Sequence, residues 1–238
     1  MRRKIILTVA AAALLAACGR SKPEETAAPA ATAETPAAEA APVAEAAAAA
    51  AEQPAIDVSA APAGLYQPDP KHRYIMFSYD HFGYSRPQIR WRNWAADLNW
   101  DPSAPEQSTI SVVIDATQPD SGVDMFDGHL KSEGFFNAEQ YPEIKFVSTS
   151  VAIDGPNSAI VTGDLTIKDV TRPVSLDVTI NRAADDDFAK GYKLGFSAKG
   201  SVKRTDFGLG QYAPMVGEDV AIVIEAEFLM PKKAAAEQ

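Results

Sequence analysis

The chain of 238 residues contains a single cysteine, Cys18, and carries a formal net charge of −10. One thiol cannot form an intrachain disulfide, so we expect the fold to be stable on its hydrophobic core alone. Lysine and arginine form no cluster after the N-terminus. Because nucleic-acid binding requires a basic surface, we predict no nucleic-acid partner.

Long apolar runs are also missing. The longest, from Ile5 to Leu15, is shorter than the roughly 20 residues that span a bilayer, and it follows the basic residues Arg2, Arg3 and Lys4. This pattern is typical of a signal peptide.

The run ends in Leu15-Ala16-Ala17-Cys18, which resembles the lipobox of bacterial lipoproteins. The resemblance implies cleavage of residues 1–17 and acylation of Cys18, hence a lipid anchor in a membrane. Gly19 resembles the residue found after the cysteine in proteins sorted to the outer membrane. An ordinary signal peptide followed by a chance cysteine is the alternative.

Residues 18–63 are mostly alanine, proline and glutamate. Such a composition has little to bury, and we predict a disordered tether. Residues 64–233 have the length of one domain, and residues 234–238 form a short C-terminal tail.

The domain alternates between apolar and polar residues with a period of two, interrupted by turn sequences such as Asp154-Gly155-Pro156-Asn157. This pattern predicts an all-β fold, whose strands must close into a barrel or stack as a sandwich to protect their edges. Only Asp127 to Gln140 breaks the alternation, and we predict one or two short helices there. The predicted strands cover residues 74–79, 110–115, 143–151, 160–167, 174–180, 192–202 and 220–229.

Several blocks in this domain resemble the YceI-like family in order and spacing. They are Asp69-Pro70-Lys71-His72, His81-Phe82-Gly83-Tyr84-Ser85, His129-Leu130-Lys131-Ser132, Gly163-Asp164-Leu165-Thr166-Ile167 and Arg204-Thr205-Asp206-Phe207-Gly208-Leu209. The resemblance implies a lipocalin-like antiparallel β-barrel with an elongated cavity for a long apolar ligand, typically a polyisoprenoid. It also implies a secreted or periplasmic protein and makes a homodimer plausible.

Alternation selects the residues that we expect to face such a cavity, with the aromatics of the irregular segment covering one end. A filled core would use the same residues, and this alternative stays open. The predicted ligand-binding residues are Ile75, Phe77, Tyr79, Trp91, Phe126, Phe135, Phe136, Phe146 and Phe196.

Polar residues in the same blocks are candidates for the rim of the barrel or for structural roles, namely His81, Asp127, His129, Arg204 and Asp206. A catalytic set of His129, Asp127 and Glu133 lacks a nucleophile partner, so we predict no enzyme. The three histidines, His72, His81 and His129, lack the short spacings of zinc sites, so we predict no metal.

The sequence therefore predicts a membrane-tethered periplasmic binding protein whose expected partner is a lipophilic small molecule. The ligand is a polyisoprenoid, an isoprenoid quinone or a similar lipid, and no cofactor is expected. The expected location is the periplasmic side of the bacterial envelope, at the outer membrane. A ligand-free structural module of the envelope is the main alternative, and an enzyme acting on a lipophilic substrate is a weaker one.

Overall fold

The computed structural model describes residues 54–232. The predicted signal peptide, the lipidation site Cys18, most of the tether and the C-terminal tail lie outside these residues. Between residues 54 and 232, no helix is both long and apolar enough to cross a bilayer.

Ten strands and one α-helix make up most of this region. The strands are β1 Gly64–His81, β2 Gln88–Trp91, β3 Trp94–Trp100, β4 Thr109–Asp115, β5 Pro119–Asp120, β6 Glu143–Ile153, β7 Ser158–Ile167, β8 Val170–Asp186, β9 Gly191–Lys203 and β10 Val216–Pro231. The helix, α1, spans Asp124–Lys131.

Eight of the strands close into an antiparallel barrel in the order β1-β3-β4-β6-β7-β8-β9-β10, and β10 pairs back onto β1. Ile75 lies opposite Ile224 in this closing pair. Closure pairs the first strand of the barrel with the last, which would be the two edges of an open sheet. The predicted all-β, lipocalin-like barrel is thus confirmed.

Strand β1 has more than one neighbour on its other side. Its first residues, Gly64–Tyr66, pair with β3, and Ile75–Ser78 pair with β2. Strand β5 then adds to β2. Where β1 leaves β3, Arg73 donates to the main-chain oxygen of Trp94, so a side chain replaces the missing ladder bonds.

The helix lies within the connection between β5 and β6. It begins at Asp124, three residues before the predicted irregular segment, and ends at Lys131. Turns follow it up to Tyr141, with Phe136 N–H donating to the oxygen of Leu130 at 3.1 Å. The segment therefore holds one helix, and its second half is irregular.

Residues 54–61, called the strap below, lie across one end of the barrel. Asn157, in the turn between β6 and β7, accepts from Ile56 N–H at 2.7 Å and donates to the oxygen of Pro54 at 3.0 Å. Ala61 is fully buried, and Ile56 and Val58 pack against the core. The predicted disordered tether, residues 18–63, therefore extends too far towards the C-terminus. Residues 54–61 are ordered because these apolar side chains and Asn157 hold the strap in place.

One glycine is required by close packing. A Cβ on Gly163 of β7 would lie 2.5 Å from the main-chain oxygen of Val147 and would also overlap the ring of Phe146. Glycine at this position lets the Phe146 ring approach β7 closely, inside the barrel.

Candidate ligand-binding cavity

The interior of the barrel is hollow. A cavity of about 810 Å³ runs between the strands, and its volume is typical of small-molecule sites. Its wall is built mostly from alternate residues of the eight barrel strands, for example Ile110, Val112 and Ile114 on β4. Alternation arises because successive side chains of a strand point to opposite faces.

All nine predicted ligand-binding residues line this cavity. Ile75, Phe77 and Tyr79 come from β1, and Phe146 and Phe196 come from β6 and β9. Trp91, at the end of β2, and the three phenylalanines of the α1 region complete the set. Whether they contact a ligand stays a prediction.

Aromatic rings pack together where α1 and its following turn meet the barrel. The Phe136 ring lies 5.1 Å from Trp91 and 6.1 Å from Phe77, edge to face in both pairs. Phe77 and Trp91 are 5.6 Å apart. These preferred geometries fix one rigid apolar wall.

At this end of the barrel, the helix end, the cavity reaches the surface. Its lining there includes Phe82 and Tyr212, which are 46% and 48% exposed. The rings of Phe135 and Tyr212 lie 6.4 Å apart, and His129 lies 4.7 Å from Phe135. An apolar path therefore connects the interior with the exposed helix end.

The opposite end, the strap end, was not anticipated from the sequence. Ile56 and Val58 of the strap line the cavity there, together with Trp100 and the β6–β7 turn. Trp100 packs edge to face on Phe196 at 6.2 Å. The apolar pair Ile56 and Val58, which interrupts the alanine-rich composition, is the signal that could have identified this segment.

The polar candidates separate into two groups. His81, His129 and Arg204 line the cavity, whereas Asp127 and Asp206 do not. Asp127 accepts from the N–H and the hydroxyl of Ser121, at 2.8 and 2.6 Å, and so holds the start of α1.

Arg204 is a buried guanidinium that is 8% exposed. It donates to four main-chain oxygens: those of Gly217 at 2.8 Å, Gln211 at 2.9 Å, Val216 at 2.7 Å, and Leu209. Burial lowers the pKa of Arg204, while nearby Glu218 and Tyr79 oppose this shift. The side chain pins the loop between β9 and β10 at the helix end.

A second group of charges lies outside the cavity lining, near the strap end. Lys193 Nζ lies 2.6 Å from Glu227 Oε2 and 3.1 Å from Asp69 Oδ2, and His72 Nδ1 lies 3.0 Å from Asp69 Oδ2. Asp69, His72 and Glu227 are close enough to share a cation. The Lys193 ammonium already pairs with both carboxylates, which favours an ion-pair network over a metal site.

The pKa values of this network follow from its contacts. Burial alone would raise the pKa of Asp69, but hydrogen bonds from Lys71 N–H, His72 and Lys193 outweigh it and lower that pKa to about 2. Burial would likewise lower the pKa of Lys193, but Glu227 and Asp69 raise it. Since His72 lies at the strap end and His81 and His129 at the helix end, the three histidines do not converge.

The lining has no aspartate, glutamate or lysine among the described residues. An apolar wall with few polar atoms is suited to holding an apolar molecule. The arrangement can therefore enclose an apolar ligand.

A closed eight-stranded antiparallel barrel around an apolar cavity defines a lipocalin-like protein. Residues 66–228 match the YceI-like domain. The chain therefore belongs to the YceI-like family.

Relatives and solved structures agree with this assignment. The chain is 32% identical over 179 residues to a UPF0312 protein of Photorhabdus laumondii, covering 74% of this chain and 92% of the relative. The crystal structure of Burkholderia cenocepacia BcnA superposes with a TM-score of 0.61 at 24% identity, covering 67% of this chain and 98% of that one. A polyisoprenoid binding domain from Saccharophagus degradans superposes with a TM-score of 0.53 at 11% identity, covering 71% and 99%. At these identities the two structures support the fold.

Proposed function

We propose that the protein holds one long apolar ligand, such as a polyisoprenoid, an isoprenoid quinone or a similar lipid, inside the barrel for transport, storage or sequestration. The observation that carries this proposal is the apolar cavity of about 810 Å³ with no carboxylate or lysine among its described lining residues. The Saccharophagus domain of the same fold, described as polyisoprenoid binding, is consistent with this ligand class.

Physical chemistry explains why such a ligand needs a carrier. Each methylene group removed from water contributes about 0.8 kcal/mol, so a long isoprenoid is almost never free in solution. A cavity whose stabilisation of the chain is comparable to that of a bilayer can accept the ligand from a membrane and return it. Binding is then reversible and needs no chemical step.

The N-terminal sequence supports a membrane-tethered form of this function. A lipidated Cys18 would hold the protein on the periplasmic side of the envelope, at the outer membrane in our proposal. The residues between Cys18 and the strap would set how far the barrel reaches. A homodimer stays a prediction, and sedimentation of the purified protein tests it.

The alternative, a ligand-free structural module, predicts a filled barrel. Phe77, Val112 and Phe196 are only partly buried although they point inward. Inward side chains that still have accessible surface are what an unfilled interior produces, and they favour the binding function.

The test is the lipid content of the full chain carrying Cys18→Ser, exported and purified without detergent. We expect organic extraction and mass spectrometry to recover a stoichiometric isoprenoid or related lipid. Ala198→Trp, which adds a large side chain to the cavity wall, should lower the lipid recovered per protein. Lys199→Trp, on the outer face of β9, is the matched control and should leave it unchanged. A lipid-free extract, with no uptake of added polyprenol or quinone, would contradict the proposal.

A further inference from the structure

Six exposed apolar side chains surround the opening of the cavity at the helix end, and we call them the apolar rim. They are Phe82, Tyr84, Val123, Met125, Tyr212 and Met215. Tyr84 and Met125 are 90% and 85% exposed. Large apolar side chains this accessible, grouped around one opening, indicate an interaction surface.

Strand register and the helix place these residues together. His81 pairs with Val216, so the adjacent residues Phe82 and Met215 leave the barrel at the same edge. In the turn after β1, His81 N–H donates to the main-chain oxygen of Ser85 at 2.9 Å, and Tyr84 lies in this turn.

The helix contributes the other part of the rim. Met125 lies in the first turn of α1 beside Phe126, whose ring lines the cavity, and Val123 caps the helix. Tyr212 contacts Phe135 and also lines the cavity. The apolar rim is therefore continuous with the cavity wall.

We propose that the apolar rim docks on a phospholipid bilayer, so that the cavity opening faces the acyl chains. This inference rests on the proposed function, because docking would allow a lipid ligand to enter and leave the cavity through this opening. Aromatic and methionine side chains can insert at the boundary between headgroups and acyl chains.

Charge does not distinguish the two ends of the barrel. The strap end exposes the acids Asp57, Glu106 and Asp154 and also the bases Lys190 and Lys232. The apolar rim around the cavity opening is therefore the feature on which the choice of the helix end rests.

At the helix end, charges of both signs occur close to the rim, including the exposed Arg86, Asp124, Lys131 and Glu133. Without a basic excess, docking must come from apolar insertion. We therefore expect binding to purely zwitterionic vesicles that is insensitive to salt.

Because Cys18 is the only cysteine, a label can be placed at one chosen position. Two full-length variants carry a polarity-sensitive fluorophore, Cys18→Ser with Met125→Cys at the rim and Cys18→Ser with Phe188→Cys in the β8–β9 turn. On adding phosphatidylcholine vesicles, we expect the emission of the rim label to shift to the blue and that of the Phe188→Cys label to stay constant. Both variants share one N-terminus, so any attachment through it affects them equally. Equal shifts, or no shift at the rim, would overturn the proposal, as would a rim shift that requires anionic lipid.

A second measurement separates docking from ligand binding. The triple variant Tyr84→Ser, Met125→Ser, Met215→Ser changes rim residues that do not line the cavity, and Leu65→Ser, Val147→Ser, Phe188→Ser is the matched control. In the Cys18→Ser background, we expect the rim variant to bind vesicles at least about tenfold more weakly than the control. Its lipid content after extraction should not change. Equal vesicle binding by the two variants would refute docking whatever the cavity holds, whereas an empty cavity with a normal rim effect would refute only the proposed function.

Discussion

Arg204 is the residue on which the loop at the helix end depends most. Replacing it by lysine keeps the charge but cannot reproduce donation to four main-chain oxygens. We expect Arg204→Lys to lower the free energy of unfolding by about 3 kcal/mol, because several buried carbonyls lose a charged donor. Denaturant-induced unfolding measures this change.

The neighbouring Lys203 provides the control for Arg204. Lys203 pairs with Asp219 at 3.0 Å on the surface, with both side chains largely exposed. Exposed ion pairs contribute about 0–1 kcal/mol, so Lys203→Gln should have little effect. Similar losses for the two variants would show that the four hydrogen bonds of Arg204 do not stabilise the fold.

Asp69 should make stability depend on pH in the acidic range. Its folded-state pKa of about 2 is lower than that of an unfolded chain, so it contributes stability above about pH 4 that is lost as the pH falls towards 2. From this difference, we expect Asp69→Asn to cost about 2 kcal/mol at neutral pH and almost nothing near pH 2. Unfolding curves of both proteins between pH 2 and 7 measure this difference.

Asp177 is a suitable control because its side chain is exposed on the outer face of β8. Asp177→Asn should follow the pH profile of the unmodified protein. If the difference between Asp69→Asn and the unmodified protein were constant with pH, the ion-pair network would not explain the acid sensitivity.

At the scale of elements, one side chain makes both of the strap's hydrogen bonds to the β6–β7 turn. Asn157→Ala removes both hydrogen bonds to residues 54–61 and leaves the Ile56 N–H without a partner. We expect a loss of about 1–2 kcal/mol and faster amide exchange in residues 56–61, measured by hydrogen–deuterium exchange.

Asn181→Ala is the control for the strap variant. Asn181 is exposed, and among the described residues its side chain donates a hydrogen bond only to Ser197 Oγ. It should leave exchange in the strap unchanged. Unaltered exchange in Asn157→Ala as well would mean that Ile56, Val58 and Ala61 hold the strap by packing alone.

Seven of the ten strands could be predicted from alternation, but β3, the short strands β2 and β5, and the strap could not. Strand β3 buries every second residue from Trp94 to Trp100, yet it contains alanine, aspartate and asparagine, which disfavour strands by propensity. The strap has too few residues to show a period, and its contacts with Asn157 and with the core of the barrel order it.

For the cavity, alternation could predict which side chains point inward, as Ile75, Phe77 and Tyr79 do. It could not predict whether they meet across the barrel, because a filled and a hollow interior have the same period. The distance between opposite walls depends on strand number and stagger, which are properties of the closed sheet.

At the scale of the whole molecule, a hollow core makes stability depend on its contents. A ligand that binds only the folded state, at a free concentration 100 times its Kd, adds about 2.7 kcal/mol of stability. For a domain of this size, this corresponds to a rise in Tm of roughly 5–10 °C. We expect organic extraction followed by refolding to lower Tm by this amount and added lipid to restore it, as measured by calorimetry.

The Ala198→Trp variant distinguishes the effect of lipid bound inside the cavity from other effects of organic extraction on Tm. Because its cavity is partly filled, its Tm should respond little to lipid removal or addition, whereas Lys199→Trp should respond as the unmodified protein does. An identical lipid-dependent rise in both variants would mean that lipid stabilises the protein from outside the barrel.

The pairing of the first strand with the last affects how the protein folds. Ile75 finds its partner Ile224 only after about 150 further residues have been synthesised. Joining such distant segments is entropically costly and slow, and no barrel can close on a partly made chain. Until β10 joins, the inward faces of β1 and β9 remain open to water, and the chain is exposed to aggregation and proteolysis. The interior thus forms only after β10 has been synthesised, so any ligand can enter it only from that point on.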